Sequence, residues 1–199
     1  MRVIKSFIEF IMDILETISF VGSIFIVVYL FILQPNQVKG QSMEPNFQNG
    51  DYILTSKITY KFREIKRGDV IILKSPKNPE IEFIKRIIGL PGDKLMIKDG
   101  YVYVNGQRWE EPYVNHPTQT WQGGYVKEGE EFIIPEGFVF VMGDNRPHSS
   151  DSREFGPIPI QDIIGVVFYR YFPPSKAGPI KNPLPENLQS SLLLYLPIA

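Results

Sequence analysis

The sequence predicts a mainly β protein, with an antiparallel, barrel-like sheet domain behind one amino-terminal transmembrane helix. Three observations lead to this prediction. Residues 17–33 carry no charged side chain. Short segments rich in Val, Ile, Phe and Tyr follow from residue 51 onward. Between residues 94 and 109, an Asp-Gly pair and an Asn-Gly pair separate strand-like segments, and both pairs suit tight hairpin turns.

The composition excludes several classes of site. The 199-residue chain has a formal net charge of -1, and it contains no Cys and 2 His. The lack of Cys excludes disulfides, thiol catalysis and thiolate metal sites, and two His argue against a His-rich metal centre. The near-balanced charge lacks the basic surplus typical of nucleic-acid-binding domains. We therefore expect no metal, no other cofactor and no nucleic-acid partner.

Residues 17–33, extended back to residue 14, form an apolar segment of about the 20 residues that cross a hydrocarbon core. A cleaved signal peptide is one alternative, but no Ala-x-Ala pattern follows the segment. A buried core helix is another, but residues 18–33 have no polar face. We therefore predict a retained anchor. Because Arg2 and Lys5 precede it, the positive-inside rule favours an internal amino terminus and an external domain.

The segments after the anchor indicate strands joined by turns. Strand composition and length are found in DYILTS, DVIILKS, EIEFIKRII, FVFVM and IIGVVFYR. KLMIK-DG-YVYV-NG-QRW predicts a three-stranded meander, because Asp99-Gly100 and Asn105-Gly106 accept the positive φ of two-residue turns. No long amphipathic helix is expected here. We divide the chain into an amino-terminal segment with the anchor (1–35), a β-rich domain (36–172) and a Pro-rich tail (173–199). The tail is predicted to be a loosely ordered extension in contact with lipid.

Three polar segments are candidate functional sites: GQSMEP at residues 40–45, FIKRIIGLPGD at residues 83–93, and GDNRPHSSDSR at residues 143–153. Each segment alone also has a plain structural explanation, as a loop, a strand or a turn. Only the three segments together indicate a functional site.

Lys85 differs from an ordinary strand lysine. Strand alternation places it on one face between Phe83 and Ile87, which would partly desolvate its ammonium group. Desolvation disfavours the charged form and lowers the pKa. A serine hydroxyl becomes a nucleophile beside a base, and a neutral lysine can serve as that base. Lowering a lysine pKa from ~10.4 to ~8 costs about 3 kcal/mol, which a folded domain can bear in a dry site.

Taken together, and in this order behind an anchor, the motifs resemble those of the bacterial type I signal peptidases. The nucleophile motif of that family matches Ser42-Met43-x-Pro45, and its lysine motif matches residues 85–93. Further matches are GDYIL at residues 50–54, RGDVI at residues 67–71, and GDNR and SxDSR within residues 143–153. The resemblance extends to about Tyr171, and the five motifs in sequence are highly specific.

The resemblance implies a Ser-Lys dyad. Ser42 would attack the scissile carbonyl, and Lys85 would remove its proton and later protonate the leaving amine. Ser149 is expected to hydrogen-bond Lys85 and orient it. A charged network is expected to brace the site, formed by Asp144, Asp151, Arg86 and Arg153. Met43 and Ile84 are candidate walls of the pockets for substrate residues −1 and −3, which an extended peptide points to one face; core packing is an equal alternative for both.

The sequence departs from the family pattern at Gly40, where many members have a Ser that donates into the oxyanion hole. The donors must then be backbone N–H groups, such as that of Ser42, or water. Asn46 stands where Thr is common, and little effect is expected. His148 is of the residue type that serves as base in a Ser-His-Asp triad, but the resemblance assigns the base to Lys85 and leaves His148 as a loop residue.

The function that the resemblance implies is a membrane-bound serine endopeptidase that cleaves signal peptides from exported preproteins. The chain would cross the cell (inner or plasma) membrane once, with the catalytic domain on the external side. Its partners would be signal peptides of secreted preproteins and membrane lipid, into which apolar residues such as Phe47 are expected to dip. Two alternatives remain. One is a self-cleaving Ser-Lys peptidase, against which the apolar span argues, and the other is a non-catalytic, membrane-anchored β module that binds peptides.

Overall fold

A computed structural model describes residues 2–184. Its first element is helix α1, Arg2–Phe31, and the part Ile4–Phe31 is long and apolar enough to cross a membrane. The helix begins well before the predicted span and stops short of its predicted end, since strand β1 is Leu33–Gln37. Pro35 lacks an N–H and biases the residue before it towards extended structure, which explains why the helix cannot continue. The end predicted at residue 33 is therefore corrected to Phe31.

The remaining described elements form two sheets, two short α-helices and three 3₁₀ helices. The strands that follow are β2 (Tyr52–Ser56), β3 (Val70–Lys74), β4 (Glu82–Gly89), β5 (Lys94–Lys98), β6 (Tyr101–Val104), β7 (Gln107–Arg108), β8 (Phe132–Ile133), β9 (Phe138–Met142), β10 (Ile158–Pro159), β11 (Ile163–Phe172) and β12 (Gly178–Pro179). The α-helices are α2 (Thr59–Phe62) and α3 (Ser152–Phe155), and the 3₁₀ helices are Arg146–His148, Ile160–Asp162 and Pro174–Lys176. The first sheet has the order β1-β2-β11-β3-β4-β9-β10, with β12 beside β11, and the second has the order β7-β6-β5-β8. Every strand pair is antiparallel, so the mainly β fold class is confirmed.

The first sheet curls until its β1 edge faces β4. Three strands separate β1 from β4 within the sheet, yet Gln34 and Asn36 of β1 donate to Glu82 of β4 over 3.1 and 2.9 Å. On the side of β4 away from β3, β9 pairs only with residues from Arg86 to Gly89. The amino-terminal half of β4 therefore keeps one free edge, which faces β1 across a groove. This curl is the barrel-like form that the sequence predicted.

The predicted meander is present as β5, β6 and β7, and its two turns have the expected backbone. Asp99 and Gly100 have φ of 52° and 82°, and Asn105 and Gly106 have φ of 51° and 80°. Both residues of each turn therefore adopt the left-handed conformation that these residue types tolerate.

Buried apolar clusters hold the sheets together. One packs the second sheet against β9 and includes Leu95 and Phe140. Another lies under the loop between β1 and β2 and includes Met43 and Phe47. Phe47 is only 2% exposed, so the expectation that it dips into lipid is wrong. A third cluster surrounds Ile87 between β3, β4 and β9.

Residues 173–184 lie against the domain. Strand β12 pairs with β11, Asn182 Nδ2 donates to the carbonyl oxygen of Arg67 over 2.8 Å, and Leu184 is buried. The sequence predicted a loosely ordered extension from residue 173, so the packed chain extends further than expected. The rest of the predicted tail lies outside the described residues.

Candidate active site

The three polar segments picked out from the sequence meet at one place. Ser42 lies in the loop between β1 and β2, and that loop is closed at its base where the Val38 N–H donates to the Asp51 carbonyl over 2.8 Å. Lys85 lies in β4. Its Nζ is 2.8 Å from Ser42 Oγ and 2.9 Å from the Ile84 carbonyl oxygen. The fold thus brings the predicted nucleophile and the predicted base into hydrogen-bond contact.

Lys85 lies in a dry environment. The residue is 3% exposed, and its Nζ is 5.0 Å from the ring centroid of Phe83. Burial lowers the pKa of Lys85 from 10.5 to about 8, although Asp151 and Asp144 act in the opposite direction. With such a pKa, about a tenth of the lysine is uncharged at neutral pH. That neutral form can accept the proton of the Ser42 hydroxyl.

Gly143 brings the loop after β9 directly against the nucleophile. A Cβ at this position would lie 2.3 Å from the Ser42 carbonyl oxygen and 2.3 Å from Ser149 Oγ, so a larger residue cannot fit without displacement. The Asn145 N–H donates to the Ser42 carbonyl over 3.0 Å, and Asn145 Nδ2 donates to the Gln41 carbonyl over 3.0 Å. These contacts hold the backbone that carries the nucleophile.

Ser149 lies beside the dyad but does not make the predicted bond. Ser149 is 3% exposed, and within residues 2–184 its Oγ has no hydrogen-bond partner. The Lys85 ammonium donates instead to Ser42 and to the Ile84 carbonyl. The expectation that Ser149 hydrogen-bonds Lys85 is therefore corrected: its hydroxyl is buried next to Gly143 and stays unpaired in this structure.

Two buried ion pairs stand behind the dyad. Arg86 donates to both carboxylate oxygens of Asp144 over 2.8 and 2.6 Å. Arg153 donates to both carboxylate oxygens of Asp151 over 2.9 and 2.8 Å. Asp151 also accepts from the Gly143 N–H over 3.0 Å. The four charged residues predicted as a network therefore form two bidentate pairs, and one of these pairs is tied to the glycine against Ser42.

Asn46 and Tyr113 also belong to this framework, a role that the sequence pattern predicted for neither residue. Asn46 Nδ2 donates to Asp144 over 2.9 Å and to the Tyr113 carbonyl over 2.8 Å. The Tyr113 ring centroid lies 4.2 Å from the guanidinium carbon of Arg86. Little effect was expected of Asn46, yet its amide supplies a hydrogen bond to the buried Asp144 carboxylate.

The Ser42 backbone N–H is available as a donor. Within the described residues it makes no hydrogen bond, whereas the Gly40 N–H donates to Asn49 Oδ1 over 2.9 Å. Gly40 has a φ of +86°, and a Cβ there would meet nothing within 4 Å. Backbone conformation, and not lack of space, therefore favours glycine at this position.

A groove of about 740 Å³ runs between β1 with its following loop and the start of β4, and it reaches Ser42 and Lys85. Ile84 lines it, whereas Met43 does not. Met43 is 1% exposed and packs in the core, which favours the core-packing alternative for that residue. His148 is exposed at the rim, and its Nδ1 lies 3.2 Å from Asn145 Oδ1. Across residues 2–184, no three acidic or His side chains are grouped to hold a metal ion.

Comparison with known proteins gives consistent similarities. Residues 11–172 match the family described as signal peptidase, peptidase S26. Signal peptidase IB from Staphylococcus aureus strain COL is 34% identical over 192 residues, covering 89% of this chain and 98% of that protein. The chloroplastic thylakoidal processing peptidase 1 of Arabidopsis thaliana is 37% identical over 157 residues, covering 74% of this chain and 44% of that protein. A crystal structure of a signal peptidase I from Enterococcus faecalis V583 is 34% identical and covers 52% of this chain and 97% of that chain, with a TM-score of 0.45.

Proposed function

This chain belongs to the signal peptidase family, peptidase S26, and is a serine endopeptidase; we propose that it removes signal peptides from exported preproteins with a Ser-Lys dyad. Ser42 is the nucleophile, and Lys85 is the general base. The observation that carries this assignment is the 2.8 Å contact between Lys85 Nζ and Ser42 Oγ in a site where burial lowers the lysine pKa to about 8.

The reaction begins with neutral Lys85. One of its N–H groups donates to the Ile84 carbonyl, which leaves the nitrogen lone pair free to accept the hydroxyl proton of Ser42. The Ser42 oxygen attacks the scissile carbonyl, and the resulting ammonium of Lys85 protonates the departing amine. The acyl-enzyme is then hydrolysed by a water that Lys85 deprotonates in the same way. As the bond between the acyl carbon and Ser42 Oγ breaks, the Lys85 ammonium returns its proton to Ser42 Oγ, which restores the dyad. The signal peptide leaves as a carboxylic acid that loses its proton to water.

The oxyanion of the tetrahedral intermediate needs a preorganised donor. The Ser42 N–H is suited to this role, because it is unpaired within residues 2–184 and belongs to a backbone held by Asn145 and Gly143. Since Gly40 has no side-chain hydroxyl, backbone N–H groups donate the hydrogen bonds that stabilise the oxyanion.

The groove suits an extended peptide. Within residues 2–184, β1 and the start of β4 each have an edge with no strand partner, and a substrate strand between them would complete the sheet by edge addition. Alternate residues of such a strand point to one face, so substrate residues −1 and −3 share the surface formed partly by Ile84. Signal peptides of secreted preproteins are the partners that this geometry accommodates.

The anchor places this groove beside lipid. We take α1 as a single retained span with its amino terminus inside the cell and the domain outside, in the cell (inner or plasma) membrane. Strand β1 begins at Leu33, just after the helix ends at Phe31, so the groove starts near the end of the span. A precursor held in the bilayer by its own apolar segment presents its cleavage site at the same membrane surface as the groove. This shared location raises the effective concentration of the cleavage site at the enzyme.

The proposal is tested with the purified full-length chain in detergent micelles, mixed with a preprotein. Discrete cleavage at one site is expected, and Ser42→Ala and Lys85→Met should each abolish it. His148→Ala is the matched variant for the rival base and should leave cleavage intact. Unchanged cleavage by Ser42→Ala or Lys85→Met, or loss of cleavage in His148→Ala alone, would contradict the assignment. Cleavage of the enzyme chain alone, with the preprotein untouched, would favour a self-cleaving peptidase.

A further inference from the structure

The inner face of the groove changes from apolar to polar with distance from the dyad. Near the dyad, the groove is lined by four buried apolar side chains: Val38, Ile53, Ile72 and Ile84. Side chains two positions apart in a strand share a face. One such step further from the dyad, the chain carries Asn36 before β1 ends, Thr55 in β2 and Glu82 in β4. Three strands therefore turn polar at the same level.

The polar side chains at this level are bonded to one another across the groove. Asn36 Nδ2 donates to Glu82 over 2.9 Å, and Gln34 Nε2 donates to the same carboxylate over 3.1 Å. The buried Thr55 hydroxyl donates to Asn36 Oδ1 over 2.8 Å, which turns the amide nitrogen of Asn36 towards Glu82. These four side chains are called the polar floor below.

The polar floor leaves room for a peptide strand above it. Strands β1 and β4 are not paired with each other, and they meet at this level through the side chains of Asn36 and Glu82. Their backbones are therefore further apart than the ~4.8 Å between paired neighbours. A substrate strand added between them would run over the polar floor and direct alternate side chains towards it.

The register of the substrate decides which of its residues meets the polar floor. The scissile carbonyl lies beside Ser42 and Lys85, so the side chain of substrate residue −1 is directed to the apolar part of the groove at Ile84. Substrate residue −3 lies two positions, or ~6.6 Å, further along an extended strand. The same step along β4 leads from Ile84 to Glu82. Substrate residue −3 therefore faces the polar floor.

We propose that Asn36 and Glu82 determine specificity at substrate residue −3 and favour a side chain with a hydroxyl group over an apolar one of the same shape. The inference rests on the proposed function and deepens it. A carboxylate has about four lone-pair positions. Three hydrogen bonds reach the carboxylate of Glu82, so it can accept one more from a substrate Ser or Thr. An apolar side chain would cover this exposed carboxylate without donating to it, which costs hydration of the charge.

Two pairs of preproteins test this proposal with the full-length chain in detergent micelles. One pair carries Thr or Val at residue −3, and the other carries Thr or Val at residue −2, whose side chain points away from the polar floor. At residue −3 the kcat/KM for Thr should exceed that for Val about 3–10-fold, and at residue −2 the two values should be about equal. A Val preprotein cleaved as well as the Thr preprotein at residue −3, or the same ratio at both positions, would overturn the proposal.

Two variants of Glu82 identify the cause of the preference. The ratio of kcat/KM for Thr and Val is measured within each variant, so that a general change in activity cancels. Glu82→Leu should bring the ratio at residue −3 to about 1 or below, whereas Glu82→Gln keeps an acceptor oxygen and should retain most of the preference. An undiminished ratio in Glu82→Leu would overturn the proposal. If the parent chain cleaved none of the four preproteins, the proposed function itself would fail, whereas cleavage without a preference at residue −3 refutes this inference alone.

Discussion

Replacing Lys85 by Met should abolish catalysis and also stabilise the fold at neutral pH. In the folded chain burial lowers the pKa of Lys85 from 10.5 to about 8. The unfolded chain therefore binds more protons between those two pH values, and stability rises with pH across that window. Below pH 8 the folded state bears the full penalty of a buried ammonium. The difference between the two pKa values corresponds to a penalty of about 3 kcal/mol at ~1.36 kcal/mol per unit.

Part of this gain is offset in the variant. Methionine forfeits the hydrogen bonds that Lys85 makes to Ser42 and to the Ile84 carbonyl, each worth about 0.5–1.5 kcal/mol net. The expected net stabilisation at pH 7 is therefore about 1 kcal/mol, or about 2–4 °C in Tm for a chain of this size. At a pH above 10.5 the advantage should vanish or reverse, because lysine is then neutral in both states.

The assay is unfolding of the full-length chain in micelles, followed by tryptophan fluorescence, because Trp109 is buried in the domain. Ser42→Ala is the matched control, since it also removes activity but leaves the lysine in place. Its stability should follow the pH dependence of the parent chain. If Lys85→Met were no more stable than Ser42→Ala at neutral pH, or if the difference between them did not change with pH, the idea of a desolvated amine would be refuted.

Three further variants test the framework of the site. Gly143→Ala should lower kcat about 10²-fold with a smaller change in KM, because its Cβ would displace the Ser42 carbonyl oxygen 2.3 Å away; steady-state kinetics with an unaltered kcat would contradict this. Asp144→Ala should lower the free energy of unfolding by about 3–5 kcal/mol, because Arg86 stays buried without its partner; urea unfolding measures it, and a paired Arg86→Met, Asp144→Leu variant should recover much of the loss. Asn46→Leu should cost about 1–3 kcal/mol in the same unfolding assay by removing a donor to Asp144, and an unchanged midpoint would show that this bond is dispensable.

The sequence predicted correctly those elements that depend on residues close together in the chain, such as turns and strand faces. The Asp99-Gly100 and Asn105-Gly106 turns follow from residues that tolerate positive φ, and the structure has both. Strand alternation predicted that Lys85 and Phe83 lie on the same face, and Lys85 Nζ lies 5.0 Å from the centroid of the Phe83 ring. The end of α1 was misplaced because apolar composition continues to Leu33, whereas Pro35 and the pairing of β1 with β2 favour extended backbone from Leu33 onward.

The framework of the site depends on contacts between distant residues, which the sequence could not reveal. Asn46 and Asp144 are 98 positions apart, and their hydrogen bond exists only because the sheet curls. Met43 was a candidate pocket wall by resemblance, with core packing as an equal alternative, and its side chain lies in the core. Ser149 was expected to contact Lys85 by resemblance alone. In this structure its hydroxyl is packed against Gly143 and pairs with nothing within residues 2–184.

The buried lysine also explains why the site is braced so heavily. Burial of the Lys85 amine away from water lowers the free energy of unfolding at neutral pH, and other interactions in the fold must offset that loss. Two bidentate ion pairs, with Arg86 and Arg153 as cations, fix the strand and the loop that enclose it. Such buried pairs are not by themselves a source of stability, but they hold geometry. We infer that the two ion pairs serve to keep the Lys85 amine and the Ser42 hydroxyl within hydrogen-bond distance.

The pH dependence of kcat/KM for preprotein cleavage tests this mechanism most directly. The profile reports the ionisation of the free enzyme, so the rate should rise about ten-fold per pH unit below the Lys85 pKa and level off above about 8. A profile that stays flat from mildly acidic to alkaline pH, or one that falls as the lysine loses its proton, would mean that Lys85 is not the base that activates Ser42.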